Sequence, residues 1–151
     1  MKTLVAYFSR KGYCARVAKD YAKKENAELL EIKTSEPTKG KLNFWWCGRF
    51  AMHRWEMPLT APQTPPEGYD RLIAVSPIWA FSVCAPMRAF LKLMNGKVKS
   101  AQYCLVHFSL FPMRYQKTTT EMDRLLGVRA ESYESVCCML GKVFKRRTFS
   151  R

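Results

Sequence analysis

The stretch TLVAYFSRKGYCARVAKDYA, Thr3–Ala22, decides the fold. Its first part, Thr3–Phe8, is a near-continuous apolar run of strand length, the pattern of a strand buried on both faces. The polar, glycine-containing turn SRKG follows at once. Beyond it, Cys14, Val17, Ala18, Tyr21 and Ala22 recur at helical spacing while Arg16, Lys19, Lys23 and Lys24 take the other positions. This predicts an amphipathic helix to about Glu25, closed by Asn26. Ala27–Thr34 then sets Leu30 and Ile32 against Glu31 and Lys33, an alternation that suits a more exposed strand. A strand, a helix and a second parallel strand form a right-handed crossover.

The same grammar repeats outward. RLIAVS, after Tyr69-Asp70, predicts a third strand, followed by a loop over Pro77–Cys84. Pro86 opens a helix in which Met87, Phe90, Leu91 and Met94 share a face, and Asn95-Gly96 stops it. AQYCLVHF predicts a fourth strand. Thr118-x-x-Glu121 has the capping-box pattern and opens a short helix that ends at Gly127. Arg129–Leu140 supplies a fifth strand. Strands alternating with helices specify an α/β architecture around a parallel sheet. The segment Ser35–Gly68 is too long for a simple connection. Within it, Lys41–Glu56 reads as a helix weakened by Gly48, with Leu42, Trp45, Trp46, Phe50, Met52 and Trp55 on a broad apolar arc. Core packing is the expected role of those aromatics, with a cofactor edge or a partner surface as the alternative. Pro58, Pro62, Pro65 and Pro66 then impose an extended return.

The chain has 151 residues, 48% hydrophobic and 25% charged, which suits a single domain over 1–151 and excludes a disordered chain. No apolar run is long enough to span a bilayer and no secretory leader is evident, so a cytoplasmic protein without a membrane partner is expected. Twenty-six Lys and Arg against 12 Asp and Glu leave a net charge of +14, favouring anionic ligands and acidic partners. The basic residues are dispersed, with a final run in a short tail from about residue 141. No zinc-finger, basic-zipper or RNA-recognition motif accompanies them, so no specific nucleic-acid partner is expected. The six cysteines include no Cys-x-x-Cys pair, and His53 and His107 are isolated, so no metal site is expected and the thiols read as reduced core residues.

A turn between a first parallel strand and its helix is a natural anion site, because unpaired backbone N–H groups and the positive helix end converge there. Ser9-Arg10-Lys11-Gly12-Tyr13-Cys14 occupies that place. Ser9 offers a hydroxyl, Gly12 a close backbone approach and Lys11 a charge. An ordinary capping turn with solvated cations is the competing reading, since one glycine is a weak phosphate signature.

Three separated segments carry a resemblance to the flavodoxin family. LVAYFSRKGYCARVA is similar to that family's first strand and phosphate loop, with the Ser9 and Gly12 positions kept. YDRLIAVSPIWAFSVCAPMRAFL resembles its third strand, flavin-flanking loop and following helix, through Asp70, Ser76, Pro77, Trp79, Pro86 and Phe90-Leu91. AELLEIKTSEPTKGKLNFWW resembles the second strand and next helix of small oxidoreductases of the family. The match covers most of Lys2–Leu126.

The resemblance implies a flavodoxin-like, doubly wound five-stranded parallel sheet of order 2-1-3-4-5 with helices on both faces, and FMN at its carboxyl edge. Ser9, Lys11, Gly12, Tyr13 and Cys14 would surround the phosphate. Pro77, Ile78, Trp79 and Ala80 would flank the isoalloxazine, with Trp79 as an aromatic wall, and the loop His107–Leu110, with Phe108 and Ser109, would close the other side. His107 is open to two readings, a flavin hydrogen-bond partner or a structural histidine at a strand end. The sequence departs from the family pattern where Lys11 and Cys14 replace hydroxyl side chains, where His107–Phe111 lacks glycine, and where the tail leaves the usual final helix reduced or missing. Two functions follow. One is an FMN protein that transfers electrons or acts as a small flavin-dependent reductase, with an unidentified redox partner or small-molecule acceptor and room for a homodimer. The other is a domain of the same fold that has lost FMN and serves as a basic binding or scaffold module.

Overall fold

A computed structural model of the chain describes residues 1–108 and 115–151. Five parallel strands form the centre: β1 (Thr3–Tyr7), β2 (Glu28–Glu31), β5 (Arg71–Trp79), β7 (Ser100–His107) and β8 (Ser132–Met139). They lie side by side as β2-β1-β5-β7-β8, the expected 2-1-3-4-5 order, with β1 paired to both β2 and β5 in parallel register. Two further strands, antiparallel to β5 and to β8, make the sheet seven-stranded rather than five-stranded. Two short strands, β3 (Lys33–Thr34) and β4 (Leu59–Ala61), form a separate antiparallel pair, and β6 (Ser82–Val83) folds back on the end of β5. The predicted strand Ala27–Thr34 is therefore divided. After Glu31 the chain leaves the main sheet, and Lys33 and Thr34 pair with β4 instead.

The period-2 alternation of the strands sorts their side chains onto two helix layers. Val5, Tyr7, Ile73, Val75, Cys104, Val106, Val136 and Cys138 pack with Cys14, Val17, Ala18 and Tyr21 of α1 (Tyr13–Lys24). Leu4, Ala6, Leu72, Ala74, Tyr103, Leu105 and Tyr133 face the other way. There they meet α2 (Lys41–Met52), α3 (Ala85–Leu93) and α4 (Gln116–Leu126) through Cys47, Ala51, Met87, Phe90, Leu91, Met122 and Leu126. All six cysteines are buried free thiols.

Three expectations are corrected. The loop predicted from Pro77 begins later, because β5 runs on to Trp79 and turns through Ala80 and Phe81, both at positive φ, into β6. The predicted capping box at Thr118 is not one: α4 starts at Gln116, Thr118 Oγ1 donates to the Phe81 carbonyl at 3.2 Å, and Glu121 pairs with Arg88 at 2.6 Å. Tertiary partners on the β5–β6 turn and on α3 claim both side chains. The basic tail is neither a reduced helix nor a free end but β9 (Lys142–Ser150), antiparallel to β8. Leu140 and Gly141, at φ 48 and 79, make the two-residue turn that joins them. Val143, Phe144, Thr148 and Phe149 suit a strand, and Phe149 stacks on Tyr133 with centroids 4.9 Å apart.

The β8–β9 hairpin is tied to α1 through Glu134, which accepts hydrogen bonds from the Tyr21 hydroxyl and, at 2.5 Å, from Arg146 Nε. Burial raises the cost of ionising Glu134, but the bonds from Arg146 and Tyr21 outweigh it and hold the carboxyl below its ordinary value. Glu134→Gln is expected to lower stability at neutral pH by about 1.5 kcal/mol, the worth of a charge-assisted bond to a partly exposed arginine. Since the folded carboxyl titrates below the unfolded one, this stabilisation is complete above the ordinary value of 4.5 and disappears as pH falls through the folded value. Urea unfolding of both proteins across this range checks it. A gap between them that stays constant into strong acid would show that Glu134 contributes packing rather than charge.

Candidate functional site

At the carboxyl edge of the sheet, the first turn and the β5 turn surround a cavity of about 550 Å³. This lies within the range of small-molecule sites. The edge is where strand order reverses between β1 and β5, so the connections leaving those two strands diverge and open a crevice.

The anion-facing corner is built by the turn after β1. Gly12 is the N-cap of α1 at φ 91, a left-handed conformation that glycine takes without strain. Its N–H donates to Ser9 Oγ at 2.9 Å, closing the turn and leaving the Ser9 hydroxyl hydrogen available to donate elsewhere. No acidic residue stands in the first turn of α1 and its N-cap makes no side-chain bond, so the N–H groups of that turn face the corner with their partial positive charge. Arg10 also lines the cavity, with its guanidinium donating to the carbonyls of Thr38 at 2.6 Å and Gly40 at 2.5 Å. Lys11 is exposed, with Nζ 5.2 Å from the Phe108 ring centroid. Cys14 points into the core, and burial pushes its thiol well above its ordinary value.

The opposite wall comes from Pro77, Ile78, Trp79 and Ala80. Trp79 is only 8% exposed, and its ring meets Phe8 edge-on at 5.6 Å, so it offers the cavity an edge from a side chain otherwise buried in the core. Phe81 and Phe108, both exposed, provide the open aromatic surface, and Phe108 lies 6.0 Å from Tyr13. His107 and Tyr115 lie deeper. His107 Nε2 is 2.6 Å from Ser135 Oγ, its ring is 5.2 Å from that of Tyr115, and burial pushes the Tyr115 hydroxyl up to about 12. Ser109, Leu110 and Phe111 lie outside the described residues.

Of the predicted site, Ser9, Lys11, Tyr13, Cys14, Pro77, Ile78, Trp79, Ala80, His107 and Phe108 line this one cavity. Gly12 shapes the turn from behind without forming a wall. The largest contribution absent from the expectation is α2, which supplies Phe44, Trp45, Cys47, Gly48, Arg49, Met52 and His53. Of its aromatics only Phe50 packs against the core, from a half-buried position, and the others do not take the expected core role. Only Cys47 and Ala51 are buried, while Leu42, Phe44, Trp45 and Met52 are more than half exposed. The signal was the aromatic density of residues 41–56, and the helix turns that density outward. The cavity thiols do not read as nucleophiles: burial raises Cys14 and Cys47, and at Cys47 it outweighs the nearby Arg10 and a backbone hydrogen bond, which act the other way. The site can therefore hold a flat aromatic group between apolar walls and an anion at the helix end, with no preformed nucleophile among the described residues.

No protein-family model matches the sequence, and no curated protein matches it. Among solved structures, the chain is similar to a putative flavoprotein from Bacteroides uniformis, with 21% identity, 89% of this chain and 86% of that one covered, and a TM-score of 0.71. It is also similar to a putative flavoprotein from Bacteroides eggerthii, with 18% identity, 93% and 89% covered, and a TM-score of 0.66. A flavoprotein from Lactobacillus acidophilus, solved in complex with FMN, matches at 19% identity, with 85% and 89% covered and a TM-score of 0.65. Together with the strand order, this likeness shows a flavodoxin-like fold.

Proposed function

We propose that this flavodoxin-fold chain binds FMN in the cavity at the carboxyl edge of its sheet and acts as a small flavin-dependent reductase. The single observation that carries the reading is the convergence of the Ser9–Cys14 turn and the Pro77–Ala80 wall on one cavity, opposite each other, with a helix N-terminus at one end. The L. acidophilus flavoprotein of the same fold was solved with FMN, which supports the choice of ligand. The residues fit the group: Ser9, Lys11 and the first-turn N–H groups suit a phosphate, and Pro77–Ala80 with Phe108 suit a planar ring. When bound, FMN supplies one- and two-electron chemistry. The protein orients the ring, excludes water with apolar walls, and offers the phosphate a positive corner.

The choice of reductase over protein-to-protein carrier rests on α2. The cavity continues past the residues assigned to phosphate and ring to Phe44, Trp45 and Met52, which leaves an aromatic-lined space for a small acceptor. Cytoplasmic location belongs to this reading. The competing reading, a scaffold without flavin, draws on Cys14, whose buried thiol cannot replace a hydroxyl donor at the phosphate. Titrating the apoprotein with FMN decides between them. Flavin fluorescence is expected to quench with a dissociation constant below about 10 μM, and no quenching at several tens of micromolar would establish the scaffold reading.

A further inference from the structure

The topology gathers exposed apolar side chains at one end of the molecule. Leu42, Trp45 and Met52 of α2, Phe81 of the β5–β6 turn and Leu140 of the β8–β9 turn are 87%, 77%, 73%, 74% and 89% exposed. They stand at the same carboxyl edge of the sheet. Trp45, Met52 and Phe81 line the cavity, and the Leu140 turn is fastened beside it by the Gly141 N–H, which donates to the hydroxyl of cavity residue Tyr13 at 2.6 Å. The segments forming this end, 8–14, 41–55, 77–84 and 139–145, contain seven Lys and Arg and no Asp or Glu. Of the flanking carboxylates, Glu56 pairs with Lys92 at 2.6 Å, Glu121 pairs with Arg88 at 2.6 Å and lies 3.8 Å from Arg54, and Glu36 accepts from Trp46 at 3.2 Å.

We propose that this end docks on the surface of an anionic lipid bilayer. Tryptophan, phenylalanine and leucine tips among lysines and arginines are the composition that enters the headgroup boundary, with the cations held to anionic lipid and the apolar tips inserted. Charge complementarity selects the occupant. A second copy of the chain would bring seven cations against seven, whereas an anionic bilayer neutralises them. The tips project from three separate elements and protrude individually, which suits a deformable phase better than a flat protein face. No described helix is long and apolar enough to cross a membrane, and this mode of binding needs none. Docked in this way, the cavity mouth faces the lipid, where apolar acceptors partition. The surface argument does not require FMN.

The test uses the full chain with sonicated vesicles of phosphatidylcholine alone or with a quarter phosphatidylglycerol. Cosedimentation with the anionic vesicles, with a blue shift of tryptophan emission and much weaker binding to the neutral ones, is the expected result. Leu42→Glu/Leu140→Asp changes two exposed tips that do not line the cavity, and Asp tolerates the left-handed backbone at position 140. This variant is expected to lose about tenfold or more in vesicle affinity while its circular dichroism and FMN titration stay unchanged. Absence of binding to anionic vesicles overturns the proposal. Binding that the double variant leaves intact overturns apolar insertion and reduces the effect to surface charge. A stable dimer in sedimentation velocity that the same variant dissociates also overturns it, by assigning the face to a second copy.

Discussion

Glu121→Ala is expected to destabilise the fold by about 3–5 kcal/mol. Arg88 on α3 is 3% exposed and its guanidinium meets Glu121 at 2.6 Å, with Arg54 and Arg124 at 3.8 Å on the same carboxylate oxygen. Removing the carboxylate strands a buried cation, which costs far more than the pair contributes against an apolar replacement. The double variant Glu121→Leu/Arg88→Met, which removes both charges, is accordingly expected to recover most of the loss. The effect also reaches the cavity. Arg88 Nη2 donates to Ser82 Oγ at 2.9 Å, and Ser82 follows Phe81 in the turn that carries the ring-facing wall. Urea denaturation of the three proteins is the measurement. A loss below about 1 kcal/mol for Glu121→Ala would mean that water reaches Arg88 and the pair behaves as a surface ion pair.

Gly12→Val is expected to weaken FMN about 10- to 100-fold and to leave riboflavin, which carries the ring without the phosphate, within about twofold. The reason is conformational. A Cβ at Gly12 would meet nothing within 4 Å, but φ 91 is a region that a β-branched residue does not occupy without strain. Relief of that strain rotates the turn, breaks the Gly12 N–H bond to Ser9 Oγ and re-aims the first N–H groups of α1 away from the phosphate corner. Gly12→Ala should show the same discrimination with a smaller loss. Ring packing is tested separately with Phe108→Ala, which is expected to weaken both ligands by a similar factor of about 2 to 10. Trp79→Ala suits that purpose poorly, because the side chain also packs in the core against Phe8 and its removal lowers stability. Equal losses of FMN and riboflavin in Gly12→Val would place its effect in folding and withdraw the phosphate from this turn.

Much of this was legible in the sequence, for local reasons. The apolar runs at Thr3–Phe8, at RLIAVS and at AQYCLVHF are too continuous for surface strands, and Cys14, Val17, Ala18 and Tyr21 recur too regularly for a loop. Alternation of such runs with helices admits few topologies, and the resemblance to the flavodoxin family supplied the order of the five parallel strands among them. The turn after the first strand could be named from its place between a strand and a helix N-terminus, whereas the wall after the third came from the family resemblance.

What the tertiary structure alone decided concerns residues whose partners lie far along the chain. Lys142–Ser150 has strand-forming residues, but Leu140-Gly141 is a weak turn signal, and only pairing with β8 and stacking on Tyr133 make it a strand. Thr118 and Glu121 have the spacing of a capping box, yet Phe81 and Arg88 claim them from 37 and 33 residues away. The apolar arc of residues 41–56 could not reveal which side faces the core, since apolar residues surround that helix on nearly every side. Cys47 and Ala51 are buried and let the backbone approach closely, Phe50 packs beside them half-buried, and this turned Phe44 and Trp45 outward to the cavity and its mouth.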